Sequence, residues 1–200
     1  MTTPVGRRER KKAATRQALA DAALNLFIAH GYDNVTLHDV AEAADVSTTT
    51  LLKHFPSKEA LVFDQEADQK AALVAAVRDR APGTTIPRAL CVHVKRVRIH
   101  AGGSDARYSQ FAELVKTTPA LSAYAHRMWM RHQDALARAI AADTGAPSDD
   151  PRSAALAHFA LESAALAHRA TDPEQAVEAA FDLLEHGWEN PAAKPGAARP

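Results

Sequence analysis

Positively charged side chains crowd the first sixteen residues of the chain. This segment carries six Lys or Arg residues and one Glu, whereas the whole chain of 200 residues has a formal net charge of zero. Guanidinium and ammonium groups form charge-assisted hydrogen bonds with phosphate oxygens, so the segment suits binding to nucleic acid. The neutral total argues against indiscriminate polyanion binding. The basic residues are Arg7, Arg8, Arg10, Lys11, Lys12 and Arg16.

A second group of residues combines hydroxyl groups with two basic side chains. It consists of Ser47, Thr48, Thr49, Thr50, Lys53 and His54. Threonine hydroxyls can reach base edges or phosphates, and threonine methyls can pack on the methyl group of thymine. The lysine and the histidine are better placed for phosphate. The alternative is an ordinary helical hairpin whose threonines are only solvated.

The residues around this group carry signals for two short helices joined by a tight turn. Thr36 and Asp39 resemble a capping box at the start of the first helix, and Ser47 suits the N-cap of the second. Asp45 occupies the turn, where Asp tolerates left-handed backbone better than most other residues. Pro56 disfavours helical geometry at the residue before it and ends the second helix.

This pattern predicts a helix-turn-helix that places its second helix in the major groove of double-stranded DNA. Thr36 and Lys58, which flank the two helices, complete the predicted set of DNA contacts. The chain is therefore interpreted first as a DNA-binding regulator.

Residues 13–63 resemble the DNA-binding domain of the TetR family of bacterial repressors. The resemblance implies an all-helical homodimer with a second, ligand-binding domain. It rests on Thr15, Arg16, Ala22, Ala23, Leu26, Phe27, His30, Gly31, Tyr32, Thr36, Val40, Ala41, Ala44, Val46, Ser47, Thr50, Leu51, His54, Phe55 and residues 57–61.

Three positions depart from the family pattern. Asp45 stands where the family usually has Gly in the turn, and Thr49 stands where a Gly usually opens the recognition helix. Leu52 stands where a Tyr commonly contacts phosphate, so this change removes one contact with the DNA backbone.

The predicted fold is all-α, with four segments. Residues 1–11 form a flexible basic arm, 12–56 the helix-turn-helix domain, 57–189 a helical effector-binding and dimerisation domain, and 190–200 a disordered tail. Predicted helices after the recognition helix span about 57–80, 87–101, 105–116, 119–143, 151–170 and 173–188. The helix at 57–80 is expected to transmit effector binding to the DNA-binding domain. Pro119, Pro151 and Pro173 suit first-turn positions, where a missing N–H is harmless.

The last two helices, at about 151–189, are the predicted dimer interface. One apolar stripe comprises Val177, Phe181, Leu184 and Trp188, and the preceding helix adds Leu156, Phe159, Leu161 and Leu166. The alternative is that these stripes face the monomer's own core. The family resemblance favours dimerisation, which would place two recognition helices in successive major grooves of a palindromic operator.

The effector site is predicted by family analogy within the second domain. Aromatic and Met side chains there would form an adaptable apolar cavity for a small lipophilic molecule, such as a multidrug-type compound. Glu162 would pair with a cationic ligand, or with Arg127 or Arg131. The candidate residues are Val94, Phe111, Leu114, Val115, Tyr124, Met128, Trp129, His132, Phe159, Glu162 and Ser163.

Two further alternatives stay open for the regulator. Lys95, Arg96 and Arg98 could bind the phosphates of an acyl-CoA, which would make the chain a regulator of lipid metabolism. The sign of regulation is not encoded, so a transcriptional activator is the second alternative. For the first alternative, a solvated helix face would explain the charges of Lys95, Arg96 and Arg98 equally well.

Other functional classes lack their motifs in this sequence. G-x-S-x-G, P-loop, G-x-G-x-x-G and H-E-x-x-H patterns are absent, so we expect no enzymatic activity, no catalytic residues and no cofactor. His93 and His100 have no third ligand at metal-site spacing, so no metal site is expected. The single cysteine, Cys91, fits a reducing cytoplasm. We expect no membrane span and no secretory signal, because long apolar runs are missing.

Overall fold

A computed structural model describes residues 6–99, 106–167 and 170–187, and every regular element in these ranges is a helix. The all-α prediction is therefore confirmed. The helices are α1 (Arg7–His30), α2 (Leu37–Ala43), α3 (Thr48–His54), a 3-10 turn (Glu59–Leu61), α4 (Glu66–Arg78), α5 (Ile86–Arg98), α6 (Ala106–Thr117), α7 (Pro119–Met130), α8 (Gln133–Thr144), α9 (Pro151–Leu166) and α10 (Pro173–His186).

The chain divides into two compact units. The N-terminal unit comprises residues 1–66 and 102–128, and therefore includes α6 and α7 up to Met128 beside the first three helices. The C-terminal unit comprises residues 67–101 and 129–200. This division differs from the predicted boundary after residue 56, because aromatic side chains of α6 and α7 pack on the segment that follows α3. The ring of Phe63 stacks on Tyr124 at 5.5 Å and meets the edge of Phe111 at 6.1 Å.

Local hydrogen bonds form the predicted helix-turn-helix. Thr36 and Asp39 make a full capping box, with the Thr36 hydroxyl accepting from the Asp39 N–H at 3.2 Å. Asp45 adopts a left-handed backbone with φ of 53°. The Ser47 hydroxyl accepts from the Thr50 N–H at 3.1 Å, and Phe55 leaves the helical region before Pro56. These four predictions from local sequence are confirmed.

The first helix begins earlier than expected. It starts at Arg7 rather than near Lys12, so the basic residues from position 7 onward lie on helical turns and not in a flexible arm. Lys, Arg and Ala are good helix formers, and residues 7–30 contain no Gly or Pro that would interrupt the helix. The helix ends at His30, and the following Gly31 has a φ of 82°. The tail at 190–200 lies outside the described residues.

The predicted continuous helix at 57–80 is wrong. The segment forms the 3-10 turn at Glu59–Leu61, and α4 begins only at Glu66. The four consecutive residues 60–63 are all buried. An α-helix cannot bury four consecutive side chains against one surface, because they point in different directions around its axis.

The predicted helix at 119–143 is also interrupted. α7 ends at Met130, and α8 begins at Gln133 after a turn in which the His132 N–H donates to the Trp129 carbonyl. Met128 packs in the core of the N-terminal unit, whereas Trp129 packs in the core of the C-terminal unit. The hydrogen bond of this turn spans three residues, as in a 3-10 helix, and so interrupts the four-residue hydrogen bonding of an α-helix.

The C-terminal unit is built around α5, α8, α9 and α10. Val177 and Phe181 of α10 are buried in its core, and Leu184 packs against that core. These three residues belong to the stripe predicted for dimerisation. They face the monomer's own core instead, which was the alternative interpretation of the stripe. Trp188 lies outside the described residues. Pro119, Pro151 and Pro173 open their helices as predicted.

Candidate nucleic-acid interface and effector region

The recognition helix α3 has one buried face and one exposed face. Leu51 and the following Phe55 are fully buried in the N-terminal core. On the other side Thr49, Leu52 and Lys53 are exposed. Because buried and exposed residues alternate with helical periodicity, the exposed side chains share a surface that a DNA groove could receive.

The remaining hydroxyls on this segment differ in what they bind. The Ser47 and Thr50 hydroxyls lie 2.9 Å apart and complete the start of α3. The Thr36 hydroxyl donates to Asp39 Oδ2 at 2.8 Å and is part of the capping box. Hydrogen bonds from the Thr36 backbone and side chain lower the pKa of Asp39. These three hydroxyls therefore hold the helix starts, whereas Thr49 is exposed and Thr48 is half-exposed.

Arg16 fixes the end of the recognition helix. Its guanidinium lies 4.1 Å from the centre of the Phe55 ring and donates to the His54 carbonyl oxygen at 2.7 Å. A weaker hydrogen bond of 3.4 Å reaches the carbonyl oxygen of Asp64. The sequence pattern grouped Arg16 with the basic leader, but its contacts are internal. Nothing local in the sequence could reveal partners so far along the chain.

Lys58 was predicted to contact DNA, but its ammonium points into the protein. It donates to the Tyr32 carbonyl oxygen and lies 4.1 Å from the centre of the Tyr32 ring. Burial, followed by nearby Glu59, raises the pKa of the Tyr32 phenol. The half-buried lysine thus joins Tyr32, just after α1, to the 3-10 turn, and its ammonium has partners within the protein.

The basic residues at the start of α1 remain available to solvent. They are exposed in the structure and follow Gly6, which precedes the first turn. They are Arg7, Arg8, Arg10, Lys11 and Lys12.

The predicted effector residues divide between the two units. In the N-terminal unit, Phe111, Leu114, Val115 and Tyr124 pack around the core that contains Met128. In the C-terminal unit, the buried members are Val94, Trp129, His132 and Ser163. Phe159 is 55% exposed on α9, and Glu162 is half-buried on the same helix. Neither unit by itself gathers the whole predicted set.

Trp129 is the centre of a basic and aromatic cluster in the C-terminal unit. The guanidinium of Arg98 lies 4.4 Å from the centre of its ring, and His132 meets its edge at 5.7 Å. The indole N–H donates to the Leu161 carbonyl oxygen at 3.0 Å. This cluster brings together two predicted effector residues and one predicted phosphate ligand.

The fourth member of the Trp129 cluster is His93, which the sequence offered only as a candidate metal ligand without a third partner. Its ring lies parallel to the indole at 6.5 Å. Burial, then the charges of Arg96 and Arg98, lowers the pKa of His93 to about 4. A neutral ring can accept a hydrogen bond from Arg96 at Nδ1, 3.2 Å away. His93 is therefore a neutral core residue near neutral pH.

The basic patch on α5 is partly neutralised by α10. Lys95 Nζ lies 2.5 Å from Glu174 and 2.8 Å from Glu178, and these hydrogen bonds raise the pKa of Lys95 to about 12. An open depression of about 230 Å³ lies beside this ion pair, lined by Arg88, Val92, Lys95, Arg96 and Glu174. The predicted phosphate ligand Lys95 thus already has carboxylate partners.

Neither a membrane-spanning helix nor a group of possible metal ligands is present in the part of the chain that the structure describes. None of its helices has the length and hydrophobicity needed to cross a bilayer. Across those same ranges, no three His, Cys, Asp or Glu side chains are grouped so that they could hold a metal ion.

The chain is similar to known transcriptional regulators along most of its length. Residues 19–64 match the family model described as bacterial regulatory proteins, tetR family, and residues 95–189 match the MftR C-terminal domain. The HTH-type transcriptional regulator TcmR of Streptomyces glaucescens is 35% identical over 151 residues, which cover 72% of this chain and 67% of the relative. MftR of Mycobacterium tuberculosis is 24% identical over 184 residues, covering 89% and 93%.

Solved structures show the same fold. FadR of Thermus thermophilus, a TetR family repressor in complex with lauroyl-CoA, has a TM-score of 0.55 at 24% identity, covering 91% of this chain and all of that one. The SmeT–triclosan complex has a TM-score of 0.55 at 17% identity, covering 94% and 99%. With the helix-turn-helix geometry and the relatives together, the chain belongs to the TetR family of DNA-binding transcriptional regulators.

Proposed function

We propose that this regulator is a homodimeric repressor that leaves a palindromic operator when a small lipophilic effector binds. The observation that carries the proposal is the exposed surface of α3, formed by Thr49, Leu52 and Lys53 on a helix whose other face is fixed in the core. Thr48 and Thr49 would contact base edges, and Lys53 would contact phosphate. The exposed basic residues of α1 would add phosphate contacts and salt-dependent affinity.

The dimer would form through the outer faces of the last two helices. Phe159 and Leu166 are exposed on α9, and their spacing of seven residues places them on one side of that helix. Leu183 is exposed on α10, on the side of the helix away from the buried Val177 and Phe181. Large apolar side chains left exposed on neighbouring helices are typical of an interface. A two-fold dimer would present two α3 helices about one DNA turn apart.

The charges in the C-terminal unit bear on the choice between the two proposed effector classes. Lys95 already pairs with Glu174 and Glu178, so it would have to exchange these partners to bind a phosphate. Trp129 and Val94 are instead buried in an apolar core, whose side chains would suit a lipophilic molecule if binding opened a cavity there. These observations favour a lipophilic molecule over an acyl-CoA. The acyl-CoA alternative is kept because FadR, which shares the fold, is in complex with lauroyl-CoA.

Release from DNA would be a shift between two conformations of the dimer. An effector that binds the DNA-incompetent conformation more tightly favours it by the difference in binding free energy, about 1–3 kcal/mol in typical cases. The connection between the helix-turn-helix and α4 consists of residues 55–65, which include the 3-10 turn. Motion would therefore pass through this irregular segment and not through one continuous helix.

Selection of bound genomic fragments by the purified protein tests the proposal. A single inverted-repeat motif is expected, whereas no enriched motif would contradict specific operator binding. Neighbouring genes would suggest the effector: efflux genes favour a lipophilic drug, and fatty-acid genes favour acyl-CoA. A reporter assay on the selected operator decides whether the protein represses or activates transcription, because an activator would raise expression and a repressor would lower it. We also propose that the protein acts in the cytoplasm, because its operator DNA would be found there. We further propose that it acts by binding and not by catalysis, because its sequence lacks the catalytic motifs considered above.

A further inference from the structure

The recognition helix exposes a large apolar side chain where a DNA-contacting residue is expected. Leu52 is 49% exposed, although its neighbour Leu51 is fully buried. It therefore does not serve the core of the N-terminal unit. A leucine side chain has no polar atom, so it cannot donate a hydrogen bond to a phosphate oxygen.

The residues around Leu52 extend this apolar surface. Thr48 and Thr49 precede it by four and three residues, which places all three on one side of α3. Each threonine carries a methyl group as well as a hydroxyl. Lys53, exposed beside Leu52, supplies the positive charge that holds such a surface against DNA.

One group in the major groove matches this surface. Among the base edges displayed there, the C5-methyl of thymine is the apolar one, and the other groups are hydrogen-bond donors or acceptors. A half-exposed leucine next to a polar edge would remove water from that edge without replacing its hydrogen bonds. Next to a methyl group it would bury apolar area on both sides.

We propose that Leu52 determines operator specificity by packing against the methyl group of a thymine in each half-site. The inference rests on the proposed operator binding and names a base that the protein reads there. Leu52 selects thymine by shape and apolar contact, while Thr49 and Lys53 supply polar contacts beside it.

Removal of the thymine methyl alone tests this inference. Each thymine of the selected operator is replaced in turn by deoxyuridine, and affinities are measured by fluorescence anisotropy at fixed salt. For the unmodified protein, one symmetric pair of positions should weaken binding about fourfold for each half-site changed, as expected for one buried methyl group. Any effect at another thymine, such as one beside Thr48 or Thr49, should persist unchanged in Leu52→Ala.

Three variants connect the effect to Leu52. Leu52→Ala should bind the thymine and deoxyuridine operators equally, whereas Leu52→Met, which keeps the apolar reach, should retain the preference for thymine. Lys53→Ala is the matched control: it should bind both operators more weakly and with less salt dependence, yet keep the thymine preference. Thermal unfolding should confirm that Leu52→Ala folds normally, because its side chain lies outside the core.

Two outcomes would overturn the inference: equal affinity for both operators in the unmodified protein, or a thymine preference that survives in Leu52→Ala. Either would leave operator binding itself intact. Failure of the proposed function would look different, because no operator would then emerge from the selection.

Discussion

The guanidinium of Arg16 lies 4.1 Å from the centre of the Phe55 ring and donates to the His54 carbonyl at 2.7 Å, so α1 holds the end of the recognition helix. Arg16→Ala should lower the free energy of unfolding by about 1–3 kcal/mol, because it removes a cation–π contact and a charged hydrogen bond. Urea denaturation measures this. Arg8→Ala is the matched control, since Arg8 is exposed at the start of the same helix and should leave stability unchanged.

The exposed cations of α1 should govern the salt dependence of operator affinity. Replacing Arg7, Arg8 and Arg10 by Ala should lower the slope of log affinity against log salt by about 0.9 for each phosphate that the variant no longer neutralises. Arg152→Ala, which removes an exposed charge at the start of α9, should not change the slope. An unchanged slope in the triple variant would contradict a DNA-binding role for this helix start.

Asp45 occupies a left-handed backbone position, with φ of 53°. Asp45→Ala should destabilise the protein by about 1 kcal/mol, because alanine lacks the side chain that helps Asp tolerate this conformation. Asp45→Gly should be neutral or slightly stabilising, since glycine adopts it readily. Chemical denaturation of both variants measures the difference. Equal destabilisation by Ala and Gly would show that the carboxylate itself stabilises the turn.

His93 should make stability fall in acid. Burial, then Arg96 and Arg98, lowers its pKa to about 4 in the folded state, so the unfolded chain takes up the proton first as the pH falls. The contribution of the neutral His93 ring to the free energy of unfolding is fully present above about pH 6.5. It is lost between about pH 6.5 and 4, and the free energy of unfolding then changes by at most about 1.4 kcal/mol per pH unit. His93→Gln should flatten this dependence in urea denaturation at several pH values. His30→Gln, at an exposed histidine, should not.

The exposed side of α9 should carry the dimer contact. Phe159→Glu should convert the protein to monomers in sedimentation experiments, because it would place a charge in a buried apolar interface. Val92→Glu is a control of matched exposure on α5, since Val92 is 56% and Phe159 55% exposed. A dimer that persists in Phe159→Glu and dissociates in Val92→Glu would place the interface elsewhere.

The helix-turn-helix shows which features are encoded locally. The hydrogen bonds of Thr36 with Asp39, and of Ser47 with Thr50, connect residues only three positions apart. The backbone strain at Asp45 and the stop before Pro56 also involve neighbours in sequence. Such features follow from residue types and spacing alone, so they could be predicted before any tertiary contact was known.

Only the tertiary structure decided which side chains of similar type face inward. Lys58 and Arg16 resemble the other basic residues in sequence, but their partners Tyr32 and Phe55 lie 26 and 39 positions away. The stripe of Val177 and Phe181 has the periodicity of an interface and of a core alike. Periodicity fixes that a face is apolar, whereas the neighbour that covers it depends on long-range packing. The sequence by itself therefore determined the family, the helical class and the recognition helix. Packing decided where the chain breaks before α4 and α8, and which charged side chains face inward.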